Sequence, residues 1–275
     1  MLRTIITRLL KNTINIISLN GYGMTILDII FNTIRNREIC IDPENLKLKL
    51  VIPNSLSKWR AETFYTKEVE TLEWIDSFQK ESVFWDIGAN IGLYSIYAGK
   101  KCNKVYSFEP SVLNLELLAK NIHLNNLSDL ISIVPLPIND KSSWNKMRLT
   151  SDELSGALSS FDHKLDYNGN NLKSFVLKYS LFGLSMDDLE KIFKIPKPDY
   201  IKIDVDGIEH FILKGGKNVL KECKGVLIEI NDNFHEQADT CEKILKECGL
   251  KFLLKKNSNN SVSDFSNTYN QIWKR

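Results

Sequence analysis

An α/β fold built around a mostly parallel sheet is what this sequence predicts, and three observations carry the prediction. From Val83 onward, short apolar runs alternate with helical patterns, the mark of a parallel sheet covered on both faces. The first of these runs leads at once into Asp86-Ile-Gly-Ala-Asn-Ile-Gly92, a glycine-bearing turn in front of a helix. The second ends on an acid, in Phe108-Glu109-Pro110. In open α/β sheets a ligand lies beyond the carboxyl ends of the strands, where strand order reverses, so both segments fall at the ligand edge.

The composition agrees with one large domain carrying an extension. The chain has 275 residues, 43% hydrophobic and 25% charged, which is ordinary for a globular protein and excludes a mostly disordered one. A net charge of +2 implies neither nucleic acid nor an acidic partner. Cys40, Cys102, Cys223, Cys241 and Cys248 are widely spaced, with no Cys-x-x-Cys pair, so a cysteine zinc site is disfavoured and free thiols in a reducing cytoplasm are expected.

Residues 1–58 are read as a separate extension and residues 59–275 as the catalytic domain. Residues 1–40 read as helical, with a break at Asn20-Gly-Tyr-Gly23. Leu2, Ile5, Ile6, Leu9, Leu10, Ile14 and Ile17 share one helical face, while Arg8 and Lys11 interrupt the apolar run and argue against an export signal. This helix either packs on its own domain or lies on an anionic membrane surface through residues 1–17, with Arg3, Arg8 and Lys11 towards the head groups. Leu46 to Ile52 alternates as a half-exposed strand that Pro53-Asn54-Ser55 ends, and a helix is expected from about Thr66 to Phe78.

The alternating region then gives strands at Ser82–Trp85, Lys104–Phe108, Ile131–Val134, Tyr200–Ile203 and Gly225–Ile230. Helices are expected from Ile91 to Gly99 and from Leu113 to Leu124. Lys251–Leu254 and Tyr269–Trp273 form a closing hairpin that sets an antiparallel strand into the sheet. Residues 140–198 make an unusually long connection, polar as far as Asn171, which is either a binding loop or a disordered insertion.

The turn after strand one is selective in what it can hold. Gly88 and Gly92 permit sharp backbone turns, and the helix behind them aims its first amides at an anionic group. A dinucleotide loop would carry Gly-x-Gly-x-x-Gly, but Asn90 and Leu93 stand at its third and sixth positions. The preceding Asp86 suits the ammonium group of an amino-acid-bearing cofactor, and Glu109 is placed to accept from two ribose hydroxyls.

These segments together resemble a known family. Val83 to Ser95, Tyr106 to Pro110 and Ile201-Lys-Ile-Asp-Val-Asp-Gly-Ile-Glu209 are similar to the FkbM family of S-adenosylmethionine-dependent methyltransferases. Thr63 to Glu68, Glu70 to Trp74, Ser185 to Leu189 and Lys214-Gly-Gly216 add to the likeness, which covers about Arg60 to Arg275. It implies a Rossmann-like, doubly wound, seven-stranded fold. The activity it implies is methyl transfer from S-adenosyl-L-methionine, most often to an oxygen of a sugar, glycolipid or polyketide, and in some members to a peptide nitrogen. Carried over by position, Asp86, Gly88, Ala89, Asn90 and Gly92 would form the methionine-side loop. Glu109 and Pro110 would hold the ribose, Asn139 and Asp140 would edge the adenine, and Tyr65 and Glu68 would roof the cofactor.

Strand four delivers Asp204-Val-Asp-Gly-Ile-Glu-His210 to the same edge, with Asp204 and Asp206 on one side by strand alternation. The catalytic candidates are therefore Asp204, Asp206, Glu209 and His210. Either Asp204, Glu209 or His210 takes the acceptor's proton directly, or a divalent cation on Asp204 or Asp206 with Glu229, Asn231 or Asp232 acidifies the acceptor. The direct base is the favoured reading. No Asn-Pro-Pro-aromatic element or basic stripe points to nucleic acid, so a small-molecule, glycan-linked or lipid-linked acceptor is expected. Clustered acids also weigh against a non-catalytic scaffold.

Overall fold

The computed structural model describes residues 2–42, 45–101, 104–257 and 267–275; Cys102 and the side chain of Arg3 lie outside them. Seven strands form one sheet in the order β11-β12-β10-β9-β3-β4-β5. They are β3 (Val83–Ile87), β4 (Lys104–Phe108), β5 (Ile131–Val134), β9 (Tyr200–Ile203), β10 (Gly225–Asn231), β11 (Lys251–Asn257) and β12 (Thr268–Lys274). The first five run parallel, β12 enters antiparallel to β10, and β11 closes the sheet antiparallel to β12. This is the mostly parallel seven-stranded sheet with an antiparallel closing strand that the sequence predicts.

All four residues of β9 are buried, as are the last four of β3, because helices cover both faces and leave no solvent side. One face is covered by α5 (Leu93–Lys100) and α6 (Val112–Leu124). The other is covered by α7 (Met186–Phe193), α8 (Glu209–Lys214), α9 (Lys217–Leu220) and α10 (His235–Glu247). Strand order reverses between β3 and β9, so their carboxyl ends border the crevice where a ligand is held. β3 runs two residues further than the sequence suggested and takes Asp86 into the strand.

Ahead of the sheet lie α1 (Leu2–Ile17), α2 (Gly21–Arg35), the antiparallel pair β1 (Glu38–Ile41) and β2 (Leu48–Val51), α3 (Ser55–Lys67) and α4 (Val69–Asp76). Three expectations need correcting here. Residues 38–41 are a strand rather than the end of a helix. The chain breaks at residues 18–20, and Gly21 and Gly23 lie inside α2; a Cβ at Gly23 would stand 1.7 Å from the Ile17 carbonyl oxygen, so only glycine lets the two helices meet there. The boundary drawn at 58/59 falls within α3. Pro53 does end the strand, but Asn54 then caps a new helix by accepting from the Ser57 amide at 2.9 Å.

β1 and β2 belong to the body of the molecule. Asn121 and Asn125 of α6 satisfy the free edge of β2, accepting from the Val51 and Lys49 amides at 2.8 and 3.0 Å. Buried amides in a helix interior are costly unless paired, and here they stitch an edge strand to the domain.

The long connection after β5 is neither a bare loop nor a disordered insertion. It folds into a three-stranded antiparallel sheet, β7-β6-β8, from β6 (Ser143–Leu149), β7 (Ser160–Phe161) and β8 (Leu177–Gly183), and then α7. Met147, Leu149 and Phe161 form its small core. The loop between β6 and β7 is turned over the crevice.

Candidate active site

Three connected hollows meet at Gly88, Asn90 and Asp204. The first encloses about 590 Å³ up to its open mouth, between the ends of β3, β4 and β5 and the β6–β7 loop. The second lies under α3, against Phe64, Glu68, Tyr94 and Lys202. The third opens outward between Trp59, Arg60 and Lys67 on one side and Asp204, Asp206 and Glu229 on the other.

Gly88 and Gly92 both have φ of 88°, in the left-handed region. A Cβ at Gly88 would stand 1.9 Å from the Asp204 carbonyl oxygen, so this residue must lack a side chain for the β3 and β9 loops to touch. Asn90, also left-handed at 50°, sends its amide to Glu109 Oε2 at 2.8 Å, and the Ser111 amide donates to Glu109 Oε1 at 2.7 Å. These amides and the Asn114 side chain fix the carboxylate, and its remaining lone pairs suit neighbouring hydroxyls. Burial pushes the Glu109 carboxyl up to about 7, against the backbone donors that pull it down. Beside it Pro110, Leu136, Pro137, Ile138 and Phe161 give a narrow apolar slot.

Asp86 lines none of these hollows. Its carboxylate is buried beneath the loop, where Ser95 Oγ donates to it at 2.5 Å, and burial raises its pKa despite Lys202. Ala89 lines the second hollow and Asn90 all three. Asn139 is fully buried, its Nδ2 donating to Asp162 at 3.1 Å, and neither it nor Asp140 lines the slot. Tyr65 packs edge-on against Phe64, 4.7 Å between centroids, so Phe64 rather than Tyr65 faces the second hollow. Glu68 does line it, at the break between α3 and α4, holding Lys67 at 2.8 Å and accepting from Tyr94 Oη at 2.7 Å. Burial would raise this carboxyl, but the Lys67 ammonium outweighs it and leaves it below its ordinary value.

Of the four catalytic candidates, the structure brings two together at the crevice. Asp204 Oδ2 lies 2.7 Å from Lys202 Nζ, a lysine 1% exposed. Burial opposes ionisation of Asp204, yet the buried ammonium prevails and holds the carboxyl below its usual range. Asp206 has φ of 64° and accepts the Leu158 amide on Oδ2 at 2.6 Å. Burial, then the charge of Asp204, push its carboxyl up to about 6. Glu229 faces the same mouth and is raised well above its ordinary value by burial, then by Asp204 and Glu68.

Glu209 and His210 turn the other way. Glu209 accepts from the Val205 and Gly207 amides at 3.1 and 3.0 Å and from Gln237, so it braces the strand-end turn from behind. Burial raises its carboxyl to about 7. His210 is fully buried, 4.0 Å from Phe211 and 5.4 Å from Phe234 between ring centroids, and burial lowers its pKa to about 4. Neither lines a hollow, and both leave the list of catalytic groups. Among the described residues, the grouping with metal-ligand spacing is Asp140, Asp162 and His163, within 4.8 Å of one another, rather than the acids at the end of β9.

Several groups of the crevice were not foreseen as site residues: Trp59, Arg60 and Lys67 from α3, Tyr94, Lys202, and Gly156 to Leu158 of the β6–β7 loop. From the long connection Phe161 lines the apolar slot, while Trp144 is 72% exposed.

A Rossmann-like sheet in this strand order, with a glycine turn after its first parallel strand and an acid after the second, is that of a methyltransferase. The sequence model of the Methyltransferase FkbM domain matches residues 86–252, and the chain belongs to that family. It is similar to the hexuronic acid methyltransferase AglP of Haloferax volcanii, 29% identical over 178 residues that span 64% of this chain and 66% of that protein. Methyltransferase sdnD of Sordaria araneosa is 26% identical over 206 residues, 63% of this chain and 75% of its own length. Among solved structures, a SAM-dependent methyltransferase from Streptococcus mutans overlays with a TM-score of 0.52 at 11% identity, over 86% of this chain and 55% of that one. A methyltransferase FkbM from Methylobacillus flagellatus overlays with a TM-score of 0.47 at 18% identity, over 72% and 44%.

Proposed function

We propose that this chain methylates a hydroxyl oxygen of a sugar-like acceptor, with Asp206 as the general base and S-adenosyl-L-methionine as methyl donor. The observation that carries the reading is Asp206 itself. It is a half-buried carboxylate lining the first and third hollows, pushed up to about 6, with one oxygen fixed by Leu158. A base works best with a pKa near the operating pH, and of the acids at the outer mouth, Asp204, Asp206 and Glu229, Asp206 alone fits that description, while Glu109, raised to about 7, belongs to the ribose site. Asp204 is held low by Lys202, and Glu229 is held high.

The residues present fit the cofactor. Glu109 offers its remaining lone pairs for the ribose hydroxyls, and the slot beside Pro110 offers apolar walls for the adenine. Glu68, kept ionised by Lys67, suits the ammonium of the methionine part. When bound, S-adenosylmethionine supplies the electrophilic methyl group. Asp206 would take the hydroxyl proton on its free oxygen as the acceptor oxygen forms its new bond to carbon. The Lys202–Asp204 pair sets the field beside that base.

The mouth supports a polyhydroxylated acceptor with an acidic substituent. Trp59, 40% exposed, offers a stacking face, and Arg60 and Lys67 offer cations for a carboxylate. The name of the Haloferax relative points the same way. The test is transfer of labelled methyl groups to hexuronic acids and to the matching neutral hexoses, with products located by mass spectrometry. The reading predicts O-methylated hexuronate and its loss in Asp206→Asn. Transfer only to nitrogen, or transfer that Asp206→Asn leaves untouched, would overturn it.

A further inference from the structure

The two N-terminal helices carry an apolar surface that the domain does not cover. No described side chain of α1 is buried, and in α2 only Gly23 is. Ile5, Leu9 and Leu10 of α1 and Ile29, Ile30 and Phe31 of α2 are each 50–61% exposed. Exposed apolar area of this kind marks a surface that meets something. The hairpin is tied to the body at its C-terminal end, where Arg35 Nε meets Glu116 at 2.7 Å and Arg37 donates to the Ile52 carbonyl at 3.1 Å.

Charge decides what it meets. The α1 segment contains no acid, and Arg8 and Lys11 share a polar groove with Asn12 and Asn15, on the side away from Ile6 and Ile17 by helical spacing. Residues 1–37 hold five cations against the single acid Asp28, which leaves the rest of the chain slightly acidic. A second copy would set these cations against each other. A surface of anionic lipid would take the apolar face into its acyl boundary and the cations among its phosphates. At 16 residues, α1 is about 24 Å long, short of a bilayer core, and no described helix is long and apolar enough to cross a membrane.

We infer that α1 and α2 form an interfacial anchor that lays this enzyme on an anionic phospholipid surface without spanning it. The test is flotation of the full chain with vesicles of phosphatidylcholine alone and of phosphatidylcholine with phosphatidylglycerol, at low and high salt. The chain should float with the anionic vesicles and be largely released by salt. Arg8→Gln with Lys11→Gln should weaken vesicle affinity by about 30-fold, since each surface cation contributes a several-fold factor. Leu9→Asp should abolish flotation while cofactor affinity stays at the wild-type value, which shows that the domain remains folded. The inference fails if the chain ignores anionic vesicles, or if the double variant binds them as tightly as the parent. It fails too if light scattering finds a dimer that Leu9→Asp dissolves while vesicles have no effect.

Discussion

At Asp206 one carboxylate oxygen is spent on the Leu158 amide and the other faces the crevice, so a change of one atom separates structure from catalysis. Asp206→Asn keeps an oxygen for that amide but cannot take a proton, and kcat should fall by about 10²–10⁴-fold with cofactor affinity nearly unchanged. A base raised to about 6 is protonated below that pH and ionised above it. Activity should therefore fall as pH drops through about 6 and level off above it, and this limb should vanish in the residual activity of the variant. The ammonium of Lys202 already stands where a cation would neutralise Asp204, so activity should survive exhaustive chelation; restoration by magnesium after EDTA loss would count against the direct base. At Glu109, replacement by alanine removes charged hydrogen bonds to two hydroxyls and should weaken cofactor binding by about 2–3 kcal/mol in calorimetry.

On the scale of elements, the same edge shows which parts of the fold the sequence discloses. The buried parallel strands were legible because a strand covered on both faces must be apolar throughout, as Tyr200 to Ile203 nearly is. Lys202 is the exception, and its burial among acids is a property of the site rather than of the strand. Helix α3 escaped notice because Ala61 and Phe64 are its only apolar residues fully buried, too few to mark a periodic face. The strands β6 and β8 escaped because one side of each meets solvent and reads as polar loop. Glu209 and His210 were misplaced for a sharper reason. They do fall in the first turn of α8, but Asp206 and Gly207, with φ of 64° and 119°, swing the chain round ahead of that turn and aim it inward, away from the crevice. The glycine turn is the element most open to direct test. Gly88→Ala imposes a left-handed alanine whose Cβ would stand 1.9 Å from the Asp204 carbonyl oxygen. It should cost about 1–3 kcal/mol in thermal unfolding and depress cofactor binding more than Asp206→Asn does.

For the molecule as a whole, the methyltransferase body includes more than the region of family likeness. β1, β2 and α3 precede residues 86–252, the stretch the family model matches, yet β2 is paired to α6 and α3 walls the crevice. α1 and α2 contribute no described residue to any of the hydrophobic cores. Removing residues 1–34 should thus leave the melting temperature close to that of the parent, whereas removing residues 1–54 should unfold the edge of the domain. Circular dichroism melts would distinguish the two, and a large loss in the shorter deletion would mean that the hairpin supports the body after all.

The β6–β7 loop is fastened to five separate places. Asn54 Nδ2 donates to the Leu154 carbonyl at 2.9 Å, Arg60 Nε to Ser155 at 3.1 Å, and Asn90 and Asn114 Nδ2 both to Gly156 at 2.8 and 3.1 Å, while the Leu158 amide holds Asp206. Gly156, Ala157 and Ser159 wall the first hollow, so with adenosine seated there as proposed this loop covers the bound nucleoside. The rate of exchange is then governed by unfastening rather than by affinity, with each strap worth about 1 kcal/mol, or about fivefold in rate. Asn54 allows one strap to be cut by itself. Asn54→Asp keeps the oxygen that caps α3 but loses the amide that reaches Leu154, so in stopped-flow measurements product nucleoside should depart several-fold faster from a protein that melts almost where the parent does.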